Sequence, residues 1–160
     1  MKRDKLNNKG ITIIALVITI VLMLILVSIA INMGTEEIAK AKLEDLKTTM
    51  LLIKGRAQIV VDKENFGEEY NKEGMTKLDE SVLDFDVHDV KERIFKDMDT
   101  SNLYIWNQTA MENNNIDVEI SNKEFYIIDY SSREVYYSLG YTDNGKVFYS
   151  LTDIQKIGEE

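Results

Sequence analysis

The chain has 160 residues, a formal net charge of −9 at pH 7, and neither cysteine nor proline. This length suits about one domain. Because cysteine is absent, the sequence excludes a disulfide framework and a thiolate metal site. Because proline is absent, no residue obliges a long helix to kink or stop.

The charge is divided unevenly along the chain. Residues 1–10 contain four basic residues and one acidic residue, a net charge of +3, so the remaining 150 residues carry −12. Nucleic-acid binding needs clustered Lys and Arg that neutralise phosphates, and the acidic body has no such cluster. We therefore expect the body to bind no nucleic acid.

An apolar tract follows the basic leader. Ile11 to Met33 comprises 23 residues without a charged side chain. As a helix with a rise of about 1.5 Å per residue it would reach roughly 35 Å, enough to cross a hydrocarbon core of about 30 Å. Basic residues precede the tract, and Glu36 and Glu37 follow it. The positive-inside rule therefore predicts a single-pass membrane helix with a cytoplasmic N-terminus and an extracytoplasmic body.

Two ordinary interpretations of the tract remain open. Ser28-Ile29-Ala30 has the small residues of a secretory cleavage site, which would leave Ile31 as the new N-terminus, although the triplet lies inside apolar sequence. Alternatively, the tract is an uncleaved anchor that carries an extracytoplasmic binding or sensing domain. The anchor does not explain the glycine at the border of the tract.

The junction between the basic leader and the apolar tract supports a third interpretation. Lys9-Gly10, followed by the apolar run ITIIALVITI from Ile11, resembles the amino-terminal signature of type IV pilins and pseudopilins. The resemblance implies cleavage of the Gly10–Ile11 bond by prepilin peptidase and N-methylation of Ile11. It further implies a structural subunit that passes from membrane lipid into a pilus or a secretion or competence pseudopilus. Its partners would be other pilin subunits and the assembly machinery.

One residue departs from the family's pattern. The fifth residue counted from Ile11 is Ala15, where the family usually has glutamate. Family members with an uncharged residue at this position are often minor or tip-located subunits. The resemblance therefore implies a minor subunit of a surface filament.

A helical stripe continues beyond the apolar tract. Apolar residues recur at alternating steps of four and three, which predicts one buried face on a helix that runs from Ile11 to about Asp62. The predicted domains are a leader at 1–10, a membrane or filament-core helix at 11–34, an amphipathic half at 35–62 and a globular head at 63–160. A bend at Gly34 and a short coiled coil remain open alternatives. The residues predicted to pack against the head are Leu43, Leu46, Met50, Ile53, Ala57 and Val60, preceded on the stripe by Ala39.

The rest of the chain predicts an α+β fold, with the long N-terminal helix packed on a small antiparallel sheet. We expect a helix over 87–98 with Val87, Val90, Ile94 and Met98 on one face, a strand at 103–106 and a helical turn over 108–114. Segments rich in β-branched and aromatic residues predict strands at 116–120, 124–129, 134–139 and 146–151. Asp143-Asn144-Gly145 predicts a tight hairpin. Alternation along the last two strands predicts that Val135, Tyr137 and Leu139, with Val147, Tyr149 and Leu151, cover the helix.

Candidate binding groups are few. Asp84, Asp86, His88 and Asp89 suggest a cation site, but they lack a glycine-bent loop and a second histidine, so we interpret them as a solvated helix entry. Asn107-Gln108-Thr109 matches a glycosylation triplet. We expect no metal, no cofactor and no enzymatic activity. Aromatic residues of the sheet could form a carbohydrate or peptide surface where they face away from the helix, as Tyr136 would; they are Trp106, Tyr126, Tyr130, Tyr136, Tyr137, Tyr141 and Tyr149.

Overall fold

The computed structural model describes the backbone of residues 4–81, 85–121 and 123–158, and the side chains of residues 13–28, 37–79, 87–121 and 123–158. Across these residues the fold is α+β with a long N-terminal helix and an antiparallel sheet, as predicted, and the sheet has five strands. The chain divides into two compact units, Met1–Lys42 and Leu43–Glu160. We call the second of these the head unit.

Helix α1 covers Asp4–Phe66 and contributes residues to both units. It begins before the predicted start at Ile11 and continues through Gly34. A single glycine costs a helix only about 1 kcal/mol, and no proline interrupts the hydrogen bonds. The helix ends where Gly67 adopts a positive φ of 69° and donates its N–H to the carbonyl of Glu64 at 3.1 Å.

The five strands of the sheet are neighbours in chain order, and every pair is antiparallel. Strand β1 was not expected, because no strand was predicted before residue 103. The predicted hairpin is confirmed, because Asp143 pairs with Lys146, and Asn144 and Gly145 have φ of 47° and 78°. The strands are β1 Met75–Lys77, β2 Leu103–Trp106, β3 Tyr126–Asp129, β4 Val135–Asp143 and β5 Lys146–Ser150.

Among the described residues, the head unit also contains three shorter α-helices and one turn of 3-10 helix. They are α2 Phe85–Ile94, α3 Gln108–Asn113, α4 Leu151–Gln155 and the 3-10 helix Leu78–Ser81. Helix α2 ends earlier than predicted, and Met98 is 52% exposed rather than part of its buried face. Ser150 caps α4 by accepting from the N–H of Asp153 at 3.1 Å, so Leu151 begins a helix instead of ending a strand.

The predicted strand at 116–120 is wrong. Asn115 follows α3 with a positive φ of 56°, and the N–H of Ile120 donates to the side chain of Gln108 at 3.0 Å instead of to a neighbouring strand. Ile116 is nevertheless buried, and Val118 packs against the same hydrophobic cluster. The apolar residues of this segment therefore cover the core without joining the sheet.

Two hydrophobic clusters cover opposite faces of the sheet, because successive side chains of a strand point to opposite sides. The first contains buried residues of α1 and α4, together with Trp106, Tyr126 and Ile128. The second contains Leu78 and buried residues of α2 beneath the other face; its sheet-side members are Leu103, Ile105, Phe125 and Ile127.

A register shift between β4 and β5 reverses the predicted faces at their ends. Pairing shifts between Tyr136 and Tyr141, next to Gly140 with its φ of 69°. Phe148 therefore packs against the first cluster, while Val147 is 40% exposed. The ring of Tyr149 lies 5.4 Å from the guanidinium of Arg93 on α2. The prediction that Val147 and Tyr149 cover α1 was wrong, and Leu139 is likewise 49% exposed.

Candidate functional site

The predicted processing point lies on α1. The backbone at Gly10 and Ile11 belongs to the helix, whereas the side chains of residues 10–12 lie outside the described residues. Lys2 and Arg3 of the predicted leader also lie outside them. Cleavage after Gly10 and methylation of Ile11 therefore stay predictions.

Residues 13–27 of α1 present an apolar surface in which Thr19 is the one polar residue. Thirteen large apolar side chains in this stretch are each between 48% and 68% exposed. Ala15 lies on the same exposed stretch. The hydroxyls of Thr19 and Ser28 donate to the carbonyls of Leu16 and Leu24, both at 2.8 Å, so these polar groups are satisfied within the helix.

Within the head unit, one face of α1 is buried. Met50, Ile53, Ala57 and Val60 are at most 3% exposed, and Leu43 is 7% exposed. Leu46 is partly buried and packs against the same cluster. Ala39, in the first unit, is exposed.

Two polar contacts that sequence patterns did not indicate join α1 to the rest of the head unit. The ammonium of Lys47 donates to the carbonyl of Ile157 at 3.0 Å, and the guanidinium of Arg133 lies 3.6 Å from the carboxylate of Asp62. Both pairs connect residues that are far apart in sequence, so no local spacing identifies them.

A second apolar stripe lies on the exposed side of α1 in the head unit. Leu52 is 53% exposed, Ile59 48% and Phe66 81%. Their separation of seven residues places them on one side of the helix. The heptad spacing of this stripe is visible in the sequence, but the stripe was not predicted, because the predicted stripe of α1 included only residues of the buried face.

The head unit also contains a cleft of about 330 Å³, which we call the tyrosine cleft. Its lining combines three aromatic rings, one thioether, two ammonium groups and one carboxylate, from Glu64, Tyr70, Lys72, Met75, Lys77, Tyr104 and Tyr130. Lys77 and Tyr104 are directly paired across β1 and β2. The end of α1, the following loop, strands β1 and β2 and the residue that follows β3 thus converge on one opening.

The tyrosine rings are held in fixed positions. Tyr104 stacks on Tyr130 with ring centroids 4.0 Å apart. The hydroxyl of Tyr130 accepts from the indole N–H of Trp106 at 3.2 Å and donates to the sulfur of Met75 at 3.7 Å. Burial, with the negative charge and hydrogen bonding of Glu64, raises the pKa of Tyr70 to about 12, so its hydroxyl stays protonated at neutral pH.

Both lysines of the cleft lie over aromatic rings. The ammonium of Lys72 is 4.9 Å from the ring centre of Tyr70, and that of Lys77 is 5.9 Å from the ring centre of Tyr104. Lys72 also lies 3.9 Å from the carboxylate of Glu64. No local sequence pattern indicates a role for Tyr70 or Tyr104, because only the folded chain brings them next to Tyr130.

The other candidate groups have structural roles or lie outside the described residues. Asp84 and the side chain of Asp86 lie outside them, and Asp89 pairs with Arg93 at 3.4 Å. Among the side chains that the structure describes, no cluster of His, Asp and Glu could hold a metal ion. Asn107 caps α3 by accepting from the N–H of Ala110 at 3.1 Å.

Tyr136, the predicted outward-facing aromatic residue, packs edge-on against Phe95 with ring centroids 4.8 Å apart. Burial raises its pKa, and nearby carboxylates, Glu134 first, add to the increase. Its ring thus belongs to the packing beneath α2.

In the portion of the chain described here, no helix is sufficiently long and apolar to cross a membrane. The chain matches no family model, no curated protein and no solved structure.

Proposed function

We propose that the chain is a structural subunit of a type IV pilus or a related secretion or competence pseudopilus. The observation that carries this proposal is the apolar surface of α1 between residues 13 and 27, where every large apolar side chain is about half exposed or more. A helix that is apolar on all sides requires lipid or protein around it. The apolar helix of such a subunit is surrounded first by membrane lipid and then by the helices of neighbouring subunits.

Coverage of these exposed apolar side chains is favoured by a large free energy. Full burial of a large aliphatic side chain is worth about 1.5–3 kcal/mol. For thirteen such side chains, each about half exposed, complete coverage is worth on the order of 10 kcal/mol or more. This driving force favours transfer of the helix from water into a membrane. Since lipid and the apolar helices of neighbouring subunits both exclude water, passage from one to the other keeps this stabilisation.

The leader supports the same proposal. Lys9-Gly10 and the apolar run from Ile11 fit processing by prepilin peptidase at Gly10–Ile11 and methylation of Ile11. The four basic residues within the first ten positions, just before the apolar tract, fit insertion with the N-terminus in the cytoplasm and the head outside. In this proposal the protein resides in the cell membrane before assembly and in a surface filament afterwards.

The exposed stripe of Leu52, Ile59 and Phe66 provides a separate contact surface within the head unit. These side chains lie on the same helix as the residues that pack into the core, yet they are 48–81% exposed. A neighbouring subunit that covers them would remove apolar area from water. The stripe thus supports assembly with other pilin subunits.

Ala15 supports a minor role in the filament. In filaments of the family, the usual glutamate is thought to offset the N-terminal amine of a neighbouring subunit, and an unpaired charge in an apolar core is costly. Ala15 provides no negative charge. Copies of this chain stacked on one another would leave their amines uncompensated, so the subunit joins filaments built mainly from glutamate-bearing partners.

Mass spectrometry of the mature N-terminus, on protein isolated from the native host, tests the processing step. The proposal predicts a methylated N-terminal Ile11. An unprocessed Met1 would instead support the permanently anchored binding or sensing domain, and Ile31 would support an ordinary secretory signal peptide.

A second experiment tests the minor role separately. The protein is expressed with the assembly machinery but without other pilins, and sheared surface material is examined by electron microscopy. We expect no long filaments from the unaltered chain, and filament formation by Ala15→Glu would strengthen the charge argument. Abundant long filaments of the unaltered protein would refute the minor role without refuting the subunit assignment.

A further inference from the structure

The tyrosine cleft has a composition that assembly through α1 does not explain. Its volume of about 330 Å³ falls at the lower end of the range for small-molecule sites. Tyr70 and Tyr104 are partly exposed at the cleft, whereas Tyr130 is 8% exposed. Met75 is the only aliphatic residue among its lining residues. The cleft is therefore poorly suited to a purely apolar ligand.

The charges of the cleft further restrict the class of ligand that it can bind. Two ammonium groups, from Lys72 and Lys77, face the opening, while the chain beyond the leader carries a net charge of −12. They would repel a cationic ligand and attract an anion to this part of an acidic surface. The carboxylate of Glu64 beside them disfavours a bare, highly charged anion and provides an acceptor for a neutral hydroxyl group.

The walls are also arranged before any ligand arrives. Stacking on Tyr130 holds Tyr104, and the hydroxyl of Tyr130 is fixed between Trp106 and Met75. Placement of Lys72 over the ring of Tyr70 keeps its ammonium at the cleft wall. Groups that are already ordered lose less conformational entropy when a ligand binds.

We propose that the tyrosine cleft binds an acidic carbohydrate, namely a sugar ring that carries a carboxylate. Lys72 and Lys77 bind the carboxylate by charge-assisted hydrogen bonds. Glu64 accepts from sugar hydroxyls with the lone pairs that its hydrogen bond with Tyr70 leaves free, the hydroxyl oxygen of Tyr70 accepts from a further sugar hydroxyl, and the tyrosine rings contact the apolar C–H edge of the sugar. This binding activity is independent of filament assembly.

Isothermal titration calorimetry on the full chain in detergent micelles tests the proposal, with a galacturonate tetramer as the probe. Three comparison ligands distinguish the contribution of the carboxylates from that of the sugar rings. Maltotetraose lacks the carboxylates, a glutamate tetrapeptide lacks the sugar rings, and inorganic phosphate presents charge alone. We expect each of them to bind at least about tenfold more weakly than the probe, since each lacks one class of contact.

Matched lysine variants locate the site. Replacement of both cleft lysines, Lys72→Gln with Lys77→Gln, should weaken probe binding by about tenfold or more, whereas Lys96→Gln, at an exposed lysine elsewhere in the head unit, should leave it unchanged. Tyr70→Phe, which removes only the hydroxyl, should cause a smaller loss. Emission of the single tryptophan, Trp106, reports whether each variant is folded. If the double variant unfolds, Lys72→Gln and Tyr70→Phe individually carry the test.

Several outcomes would overturn the proposal. Equal affinity for the glutamate tetrapeptide or for phosphate would show recognition of charge alone, and equal affinity for maltotetraose would exclude a role for the lysines. Unchanged binding by the folded lysine variants would place the ligand elsewhere. Failure of the unaltered, folded protein to bind the probe would likewise refute it, and none of these results bears on processing at Gly10.

Discussion

Replacement of Ile53 by alanine tests the buried face of α1 against an adjacent matched control. Ile53 is 0% exposed in the first cluster, whereas Leu52, one residue earlier on the same helix, is 53% exposed. Both substitutions truncate an aliphatic side chain within a helix. A difference of more than about 1 kcal/mol between them therefore measures burial, because the helix propensities of Leu and Ile differ by less than that.

The expected losses in the free energy of unfolding differ several-fold between the two alanine variants. Ile53→Ala removes fully buried carbon atoms and leaves a cavity, which lowers the free energy of unfolding by about 2–5 kcal/mol. Leu52→Ala removes a side chain that water already contacts, with an expected change within about 1 kcal/mol. Ile53→Asp should destabilise by more than Ile53→Ala, because it also places an unpaired charge in the cluster.

Urea unfolding of the full chain in micelles, followed by the fluorescence of Trp106, measures these effects. Trp106 is the single tryptophan, is 0% exposed and belongs to the same cluster as Ile53. With a urea m-value of about 1–3 kcal/mol/M, the midpoint for Ile53→Ala should fall by roughly 1 M or more. Equal midpoints for Ile53→Ala and Leu52→Ala would refute the assignment of this face to the core.

Three further predictions concern the head unit. Gly140→Ala should destabilise the head unit by about 1 kcal/mol or more, because φ there is +69° and a Cβ would lie 2.6 Å from the side chain of Val147 on β5. Gly55→Ala should stabilise it by up to about 1 kcal/mol, because a Cβ at this helical position would meet no atom within 4 Å. Thermal melts in which both melting temperatures moved in the same direction would contradict this. Tyr130→Phe should lower the free energy of unfolding by about 1–3 kcal/mol, since the buried N–H of Trp106 loses its acceptor, and unchanged urea unfolding would count against that bond. Burial alone would raise the pKa of Glu124, but the hydrogen bonds that its carboxylate accepts lower the pKa below the ordinary 4.5. The ionised carboxylate therefore contributes stability above pH 4.5, and this stability is lost as the pH falls through the folded-state pKa. Glu124→Gln should thus flatten the acid side of a stability–pH profile.

The long helix and its buried face follow from the sequence, because helical periodicity is a local property. Met50, Ile53 and Ala57 recur at steps of three and four, and these side chains lie in the core. The hairpin at Asn144-Gly145 is similarly local, since the positive φ angles that its turn requires belong to those two residues. Such features depend on neighbours within a few positions of the chain.

Other features depend on pairings between distant segments, and only the tertiary structure decided them. The shift at Gly140 changes which side chains of β5 meet the core, although alternation within β5 itself gives no indication of it. The tyrosine cleft likewise requires Tyr70, Tyr104 and Tyr130, which come together only when the loop after α1 and strands β1 to β3 assemble. Periodicity identifies the face that an element buries, but the partner of that face and the register of contact are set by packing across the whole head unit.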